Sequence, residues 1–211
     1  SGTRERLEKT GFAVFDDATA DSSLAGELRA EVELLYETGL LEPSRNRLAT
    51  KRDADSGKVV AGEVLVKPSI FERDILFEGD VVCNAALQIC PSLRRFCEEV
   101  APALARRLGA ACPGLRLTGV DTVKAQLNTG GGGCFPMHYD TSSAHSSRAV
   151  TALLYLNPGW CKGDGGELEL LPFPLSARAV APLHDRLVLF CATQTLHRVL
   201  PSAARRLCIS V

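Results

Sequence analysis

The fold of this chain is decided by the stretch His138-Tyr139-Asp140, taken together with His197 and Arg206 further along. His138 and Asp140 are two residues apart, so on a β-strand their side chains lie on the same face. His197 follows 57 residues after the aspartate, and Arg206 follows nine residues after His197. Two imidazoles and one carboxylate can hold three positions on one face of an Fe(II) ion and leave others open. The pattern therefore predicts a metal site at His138, Asp140 and His197.

Arg206 opens the closing segment Arg206-Leu207-Cys208-Ile209-Ser210-Val211, which alternates as a β-strand. Leu207, Ile209 and Val211 share one apolar face, so Arg206 and Ser210 lie on the other. That second face is either solvent or a polar barrel interior, and the pattern alone does not separate the two. A guanidinium fork is well suited to binding a carboxylate in a bidentate manner. Its neighbour Arg205 is the better candidate for an exposed charge.

The front of the chain is predicted to be helical. Residues 21–39 have N-cap oxygens at Asp21 to Ser23, an apolar stripe and a closing Gly39. A second helix is expected from Ser92 to about Gly109, with Pro102 kinking or dividing it. The apolar stripe of the first helix consists of Leu24, Leu28, Val32 and Leu35.

The back of the chain is predicted to be rich in β-strands. From about residue 117, short strand-like segments alternate with Gly, Pro, Asn and Asp turns, as in a sandwich or barrel. Together with the metal-ligand spacing, this pattern predicts a mainly β fold with flanking helices, a double-stranded β-helix of jelly-roll type with N-terminal helices packed outside. We expect a single domain over 1–211, with helical support and a substrate loop in 1–115 and the metal-binding barrel core in 116–211. The polar segment 43–65 is predicted to be a loop or hairpin, and is the candidate lid.

Composition limits the function classes. With 211 residues, 45% hydrophobic content and 23% charge, the chain can bury a core as one domain. The net charge of −1 and pI of about 6.4 provide no overall attraction to nucleic acid or to an anionic membrane. The sequence has no apolar run long enough to span a bilayer, no Gly-x-Ser-x-Gly elbow, no Walker-type phosphate loop and no dinucleotide fingerprint. Eight cysteines without a Cys-x-x-Cys pair indicate isolated thiols in a reducing compartment, so a cytoplasmic or nuclear location is expected.

The sequence resembles Fe(II)/2-oxoglutarate dioxygenases of the prolyl 4-hydroxylase family, and most closely the prolyl hydroxylases that act on hypoxia-inducible factor. Order and spacing agree over about the last 90 residues and again near the N-terminus, whereas residues 43–115 match weakly. Because Ser1-Gly2 looks like a cloning remnant, the natural protein is expected to extend beyond both ends. The matching segments are Gly11 to Asp17, His138-Tyr139-Asp140, Tyr155-Leu156-Asn157 with Trp160, Gly165-Gly166-Glu167-Leu168, Asp185-Arg186-Leu187, and His197 with Pro201 and Arg206.

This resemblance implies roles for particular residues. His138, Asp140 and His197 would bind the iron, Arg206 would anchor the distal carboxylate of 2-oxoglutarate, and Tyr155 would donate its hydroxyl to the same carboxylate. The family commonly has a second tyrosine about ten residues before the first iron-binding histidine, where this sequence has Asn128. The further expected contacts are Asn128, Thr151 and Ser210 with 2-oxoglutarate and Arg148 with substrate, while His145 is not expected to bind the metal.

The implied reaction is hydroxylation of a prolyl residue in a protein substrate, consuming O2 and releasing succinate and CO2. Its cofactors would be Fe(II), 2-oxoglutarate as co-substrate, and ascorbate. An oxygen-sensing role and a monomeric state are expected, with no nucleic-acid or membrane partner. The alternatives are a non-catalytic binding module that retains a metal, and a dioxygenase that acts on another residue or on nucleic acid. The neutral charge and the absence of an obvious base-stacking lid disfavour the nucleic-acid substrate.

Overall fold

The computed structural model describes residues 2–19, 21, 23–47, 51–53, 55–60, 64–77, 80–81, 84–140 and 148–211. The α-helices are α1 (Gly2–Thr10), α2 (Leu24–Glu37), α3 (Asn84–Ile89), α4 (Pro91–Arg95) and α5 (Ala101–Ala111). The strands of the first half are β1 (Phe12–Phe15), β2 (Glu42–Arg47), β3 (Lys51–Arg52), β4 (Val59–Val60), β5 (Val64–Phe77) and β6 (Asp80–Val81). Those of the second half are β7 (Val123–Asn128), β8 (Gly133–His138), β9 (Val150–Tyr155), β10 (Leu168–Leu171), β11 (Arg178–Val180), β12 (Arg186–Cys191), β13 (Leu196–Ser202) and β14 (Arg206–Ser210).

Two antiparallel sheets form the body of the protein. The major sheet has the strand order β1-β12-β9-β14-β7-β5-β2, with β6 paired to β5, and the minor sheet has the order β11-β10-β13-β8. Alternating residues from both sheets meet in a shared apolar layer, which includes Tyr155 and Phe190 from the major sheet and Leu170 and Val199 from the minor sheet. The predicted jelly-roll fold is confirmed.

Helix α2 covers the outer face of the major sheet. Its predicted apolar stripe is buried, and this stripe packs in one cluster with Leu207 and Ile209 of β14. The opposite face of β14 therefore points into the space between the sheets. The helix ends as predicted, because Gly39 adopts a positive φ of 72° that glycine accommodates without strain. Of the predicted N-cap oxygens at Asp21 to Ser23, Ser23 occupies the N-cap position, but its side chain makes no capping hydrogen bond; Ser22 lies outside the described residues.

The second predicted helix is divided near Pro102, as its sequence indicated. A π-helical turn, Phe96–Val100, separates α4 from α5, and Pro102 lies in the first turn of α5. A proline cannot donate a backbone hydrogen bond, so its place at the start of a helical segment avoids an unpaired carbonyl in the helix interior.

The first half of the chain also contributes strands to the major sheet, which the sequence pattern did not predict. β1 pairs with β12, while β5 pairs with β7 through Ile70 to Leu76. β5 then continues toward its N-terminal end beyond β7, where Val64 to Val66 pair with β2 alone among the described strands. The hairpin alternative for residues 43–65 is therefore the one found where the segment is described.

None of the described cysteines, which exclude Cys83, forms a disulfide, as the sequence predicted. Among the described residues, no helix is both long enough and apolar enough to cross a bilayer.

Candidate metal centre

The two predicted histidine ligands lie opposite each other on neighbouring strands. His138 ends β8 and is the register partner of His197 on β13. Their ring centroids are 4.3 Å apart, and the ring of Phe190 lies 4.6 Å from that of His197. Asp140 follows β8 by two residues and reaches the same point. Within the described part of the chain, His138, Asp140 and His197 form the only group of potential ligands whose atoms all lie within 4.8 Å of one another.

The geometry of these three side chains suits a shared cation. The Oδ1 atom of Asp140 lies 3.4 Å from Nε2 of His138 and 3.4 Å from Nε2 of His197. Both separations exceed the usual length of a hydrogen bond. Ligand atoms that each lie about 2.1 Å from one ion, at roughly right angles, are about 3 Å apart. The two separations from Asp140 are close to this spacing, and all three ligand atoms lie within 4.8 Å of one another.

The backbone orients both imidazoles toward this point. Nδ1 of His138 lies 2.7 Å from the carbonyl oxygen of Pro136, and Nδ1 of His197 lies 3.0 Å from that of Thr195. An N–H donated to each carbonyl leaves the Nε2 lone pairs free for a metal.

Asp140 is held as a carboxylate by its neighbours. The hydroxyl of Thr151 donates a 2.5 Å hydrogen bond to Oδ2 of Asp140. Burial opposes ionisation, but contacts with His138, His197 and Thr151 outweigh it and hold the pKa of Asp140 well below its usual range. An ionised, oriented carboxylate is the form that binds a divalent cation.

Arg206 points into the interior between the sheets, which decides between the two orientations that the sequence left open. The residue is 4% exposed. Its Nε donates to the carbonyl of Gly166 at 2.9 Å, and NH2 donates to the Tyr155 hydroxyl at 3.3 Å. NH1 lies 3.7 Å from Sγ of Cys208. No ion pair joins Arg206 to a carboxylate within the described ranges, so a buried positive charge has no protein counter-ion there.

Both members of the Arg206–Tyr155 pair are in the protonation state needed to bind an anion. Burial lowers the pKa of Arg206, but its contacts with Cys208 and Tyr155 outweigh that effect, and the guanidinium stays cationic. Burial raises the pKa of Tyr155 to about 12, so its phenol remains a hydrogen-bond donor at neutral pH.

A glycine turn fixes the position of the guanidinium. Gly166 has a positive φ of 75°, and a Cβ added there would lie 2.8 Å from Cδ of Arg206. The indole of Trp160 donates to the carbonyl of Gly165 at 2.9 Å and holds the same turn. The sequence pointed to these residues only as part of the family motif, without this packing role.

Strand β9 links the metal ligands to the guanidinium. Every second side chain of β9 points into the interior, namely Thr151, Leu153 and Tyr155. Thr151 is hydrogen-bonded to Asp140, and Tyr155 is hydrogen-bonded to Arg206. Four residues of strand span about 13 Å. The inner face of one strand therefore supports a cation site at one end and an anion site at the other.

The three other residues predicted to contact 2-oxoglutarate, Asn128, Thr151 and Ser210, lie in different parts of the interior. Asn128 is buried, and its amide donates to the Gly133 carbonyl at 2.8 Å and accepts from the Gly130 N–H at 3.0 Å. Asn128 thus closes the glycine turn before β8. Thr151 is engaged with Asp140. Ser210 lies on the Arg206 face of β14, paired with Leu153 of β9. The expected contacts of these side chains with 2-oxoglutarate stay predictions.

Arg148 lies near helix α5. It lines a cavity together with Leu104 and Leu108 of that helix, and these residues pack with the outer face of the major sheet. The two histidine ligands belong to the minor sheet, on the other side of the major sheet from this cavity, so the expected contact between Arg148 and substrate gains no support and stays a prediction. His145 lies outside the described residues.

Comparison with known proteins agrees with this geometry. Residues 125–211, which contain the three ligands and Arg206, match the model of the 2OG-Fe(II) oxygenase superfamily. This part of the chain is similar to members of that superfamily. A search of curated proteins finds no significant match.

Solved structures extend the similarity to nearly the whole chain. A prolyl 4-hydroxylase from Phytophthora capsici is 34% identical with a TM-score of 0.76, and the match covers 99% of this chain and 60% of that one. The present chain thus spans about 60% of the length of the Phytophthora chain. A Trichoplax adhaerens prolyl hydroxylase, solved with a hypoxia-inducible factor peptide fragment, is 24% identical (TM-score 0.71; 99% and 85% covered). A Pseudomonas putida prolyl-4-hydroxylase is 23% identical (TM-score 0.71; 99% and 95% covered), and these last two matches support the fold alone.

Thr151→Val tests the support of the metal ligand. The substitution keeps the shape of the side chain but removes the donor to Asp140, and losing such a partner typically weakens metal affinity by about 10–100-fold. We expect a weakening in this range for Mn(II), measured by isothermal titration calorimetry. Thr118→Val, at an exposed position, is the matched control and should bind as wild type does. Unchanged affinity in Thr151→Val would contradict the role given to this hydrogen bond.

Proposed function

We propose that this chain is an Fe(II)- and 2-oxoglutarate-dependent dioxygenase that hydroxylates a prolyl residue in a peptide or protein. The observation that supports the proposal most strongly is that a cation site and a buried positive charge both lie between the two sheets. His138, Asp140 and His197 present a cation site, and Arg206 presents a buried positive charge without a carboxylate partner among the described residues. A dicarboxylate that bridges a metal and a guanidinium matches both.

The donor set fits ferrous iron. Two neutral imidazoles and one carboxylate leave open positions on a six-coordinate ion, as required when a co-substrate and O2 must both bind. When bound, the iron would supply the redox chemistry that converts 2-oxoglutarate and O2 to succinate and CO2 and oxidises the substrate. The protein residues orient the ligands, bind the co-substrate and exclude water.

The anion pocket fits the distal carboxylate of 2-oxoglutarate. NH1 and NH2 of Arg206 carry the donors that a carboxylate binds, and the Tyr155 hydroxyl adjoins NH2. A buried guanidinium that lacks a counter-ion is costly to desolvate, so an incoming carboxylate both satisfies its donors and neutralises its charge. The apolar side chains Leu153, Phe190 and Val199 line the same interior and exclude water.

The prolyl substrate is supported by similarity rather than by a contact. The Phytophthora protein, which is a prolyl 4-hydroxylase, is 34% identical to this chain. A shared scaffold does not determine the oxidised residue, because substrate choice depends on the side chains around the opening of the site.

The alternative of a non-catalytic module with a retained metal is less well supported. Such a module needs no buried cation beside its metal, and burying an unpaired guanidinium is unfavourable for stability. A nucleic-acid substrate is likewise disfavoured, since the net charge of −1 provides no general attraction to phosphates.

Succinate formation from 2-oxoglutarate tests the activity. Wild-type protein with Fe(II) should form succinate, and Arg206→Gln should raise KM for 2-oxoglutarate by about 30-fold or more, since losing one partner of a buried charge pair costs about 2 kcal/mol or more. Arg205→Gln is the matched control, because that guanidinium is 39% exposed and pairs with Glu33 at 2.9 Å. Wild-type turnover no higher than that of His138→Ala would overturn the proposed activity.

The oxidised residue is tested separately by mass spectrometry. Proline-containing peptides incubated with enzyme, Fe(II) and 2-oxoglutarate should gain the mass of one oxygen atom on proline, located by fragmentation. Oxidation of leucine or lysine with none on proline would reassign the substrate while leaving the co-substrate chemistry intact.

A further inference from the structure

Lys67 of strand β5 lies beside the strand that carries the first metal ligand. Its Nζ atom is 4.1 Å from the centroid of the Phe135 ring, and that ring lies 6.4 Å from the ring of His138. Phe135 and His138 both belong to β8. The ammonium group is therefore held at the edge of the metal site by an aromatic face, an arrangement that restricts its position.

This cation has no carboxylate partner within ion-pair distance among the described residues. Lys124 on the neighbouring strand β7, by contrast, has two carboxylate partners: its Nζ atom lies 3.7 Å from Glu72 and 3.5 Å from Asp74. Burial lowers the pKa of Lys67, and the charge of Lys124 acts in the same direction while Glu72 opposes it. A partly desolvated, unpaired ammonium gains more from an added carboxylate than a fully hydrated one does.

Exposed apolar residues precede Lys67 on β5 and adjoin the metal ligands in sequence. Val64, Leu65 and Val66 precede Lys67 on the part of β5 that extends past β7, and each is at least half exposed. On the other side of the site, Met137 is 39% exposed and Tyr139, between two metal ligands, is 48% exposed. Five of the eight large exposed apolar residues in the described ranges thus lie on β5 just before Lys67 or next to His138 in sequence. Exposed apolar residues on the strand of the cation and beside a metal ligand suit a peptide chain better than a free anion.

We propose that Lys67 is a specificity-determining residue that selects peptide substrates with an aspartate or glutamate side chain close to the oxidised residue. The inference rests on the proposed function, because it assigns the peptide to the same site. The apolar strand residues would bind the chain of the substrate, and the ammonium would bind its carboxylate.

The distal carboxylate of the co-substrate is assigned to Arg206 rather than to Lys67. β5 is separated from β14, which carries Arg206, by strand β7 in the sheet order. Two strand spacings amount to about 9–10 Å. The distal carboxylate of 2-oxoglutarate has Arg206 as its partner, so Lys67 is left for the second substrate.

Binding of three fluorescein-labelled peptide pools tests the inference. Each pool has a central proline with small apolar flanks, and one flanking position on either side carries Glu, Gln or Lys. Protein loaded with Mn(II) and 2-oxoglutarate is titrated into each pool, and Kd is measured by fluorescence anisotropy. We expect the Glu pool to bind about tenfold more tightly than the Gln pool and the Lys pool to bind most weakly, with the preference reduced by high salt.

Variants show whether Lys67 causes the preference. Lys67→Met keeps the length and apolar stem of the side chain but removes the charge, so it should bind the Glu and Gln pools equally. Lys67→Arg should retain the preference, and Lys67→Glu should reverse it in favour of the Lys pool. Lys162→Met removes an exposed lysine elsewhere and should keep the wild-type preference. Circular dichroism spectra of all variants verify that each is folded.

Equal affinity of wild-type protein for the three pools, no binding to any pool, or a Glu preference that persists in Lys67→Met would overturn the inference. Succinate formation by wild-type protein is measured in parallel. Turnover without a charge preference would contradict the role of Lys67 alone. A charge preference without turnover would contradict the proposed activity and leave the acidic preference supported.

Discussion

A full positive charge buried between two β-sheets is the constraint on which this protein's architecture depends. The guanidinium of Arg206 is 4% exposed and is held by the Gly166 carbonyl and the Tyr155 hydroxyl, with no carboxylate paired to it in the described ranges. Burying a positive charge in this way is unfavourable unless an anion pairs with it. The glycine turn at Gly166, the high pKa of Tyr155 and the inward face of β14 all maintain a cationic pocket that suits an anionic ligand.

The same interior contains a cation site, and one strand relates the two. β9 places Thr151 against Asp140 at one end and Tyr155 against Arg206 at the other. A rigid strand on a packed sheet holds such groups more precisely than loops do. Beyond this interior, the part of β5 that carries Lys67 extends past β7 and lies where a second substrate would approach the metal ligands. Under the proposed function, metal, co-substrate and peptide would therefore each have a separate protein partner.

The fold and the centre of the site could be predicted where local pattern determines geometry. Period-two spacing predicted that His138 and Asp140 lie together, and they do, although Asp140 lies two residues beyond the end of β8. Alternation in the last strand placed Arg206 opposite Leu207 and Ile209. Long-range pairing is not encoded in such patterns, so the joining of β1, β2 and β5 to the major sheet was not foreseen. Neither the bond from Thr151 to Asp140 nor the position of Lys67 over Phe135 has a local signal, because each depends on segments distant in sequence.

The most direct test is a crystal structure of the protein grown anaerobically with Mn(II) and 2-oxoglutarate. The account predicts one ion about 2.0–2.2 Å from Nε2 of His138, Nε2 of His197 and a carboxylate oxygen of Asp140, with the keto acid end of 2-oxoglutarate on the ion and its distal carboxylate on Arg206 and Tyr155. An ion bound elsewhere, or a dicarboxylate that makes no contact with Arg206, would contradict it.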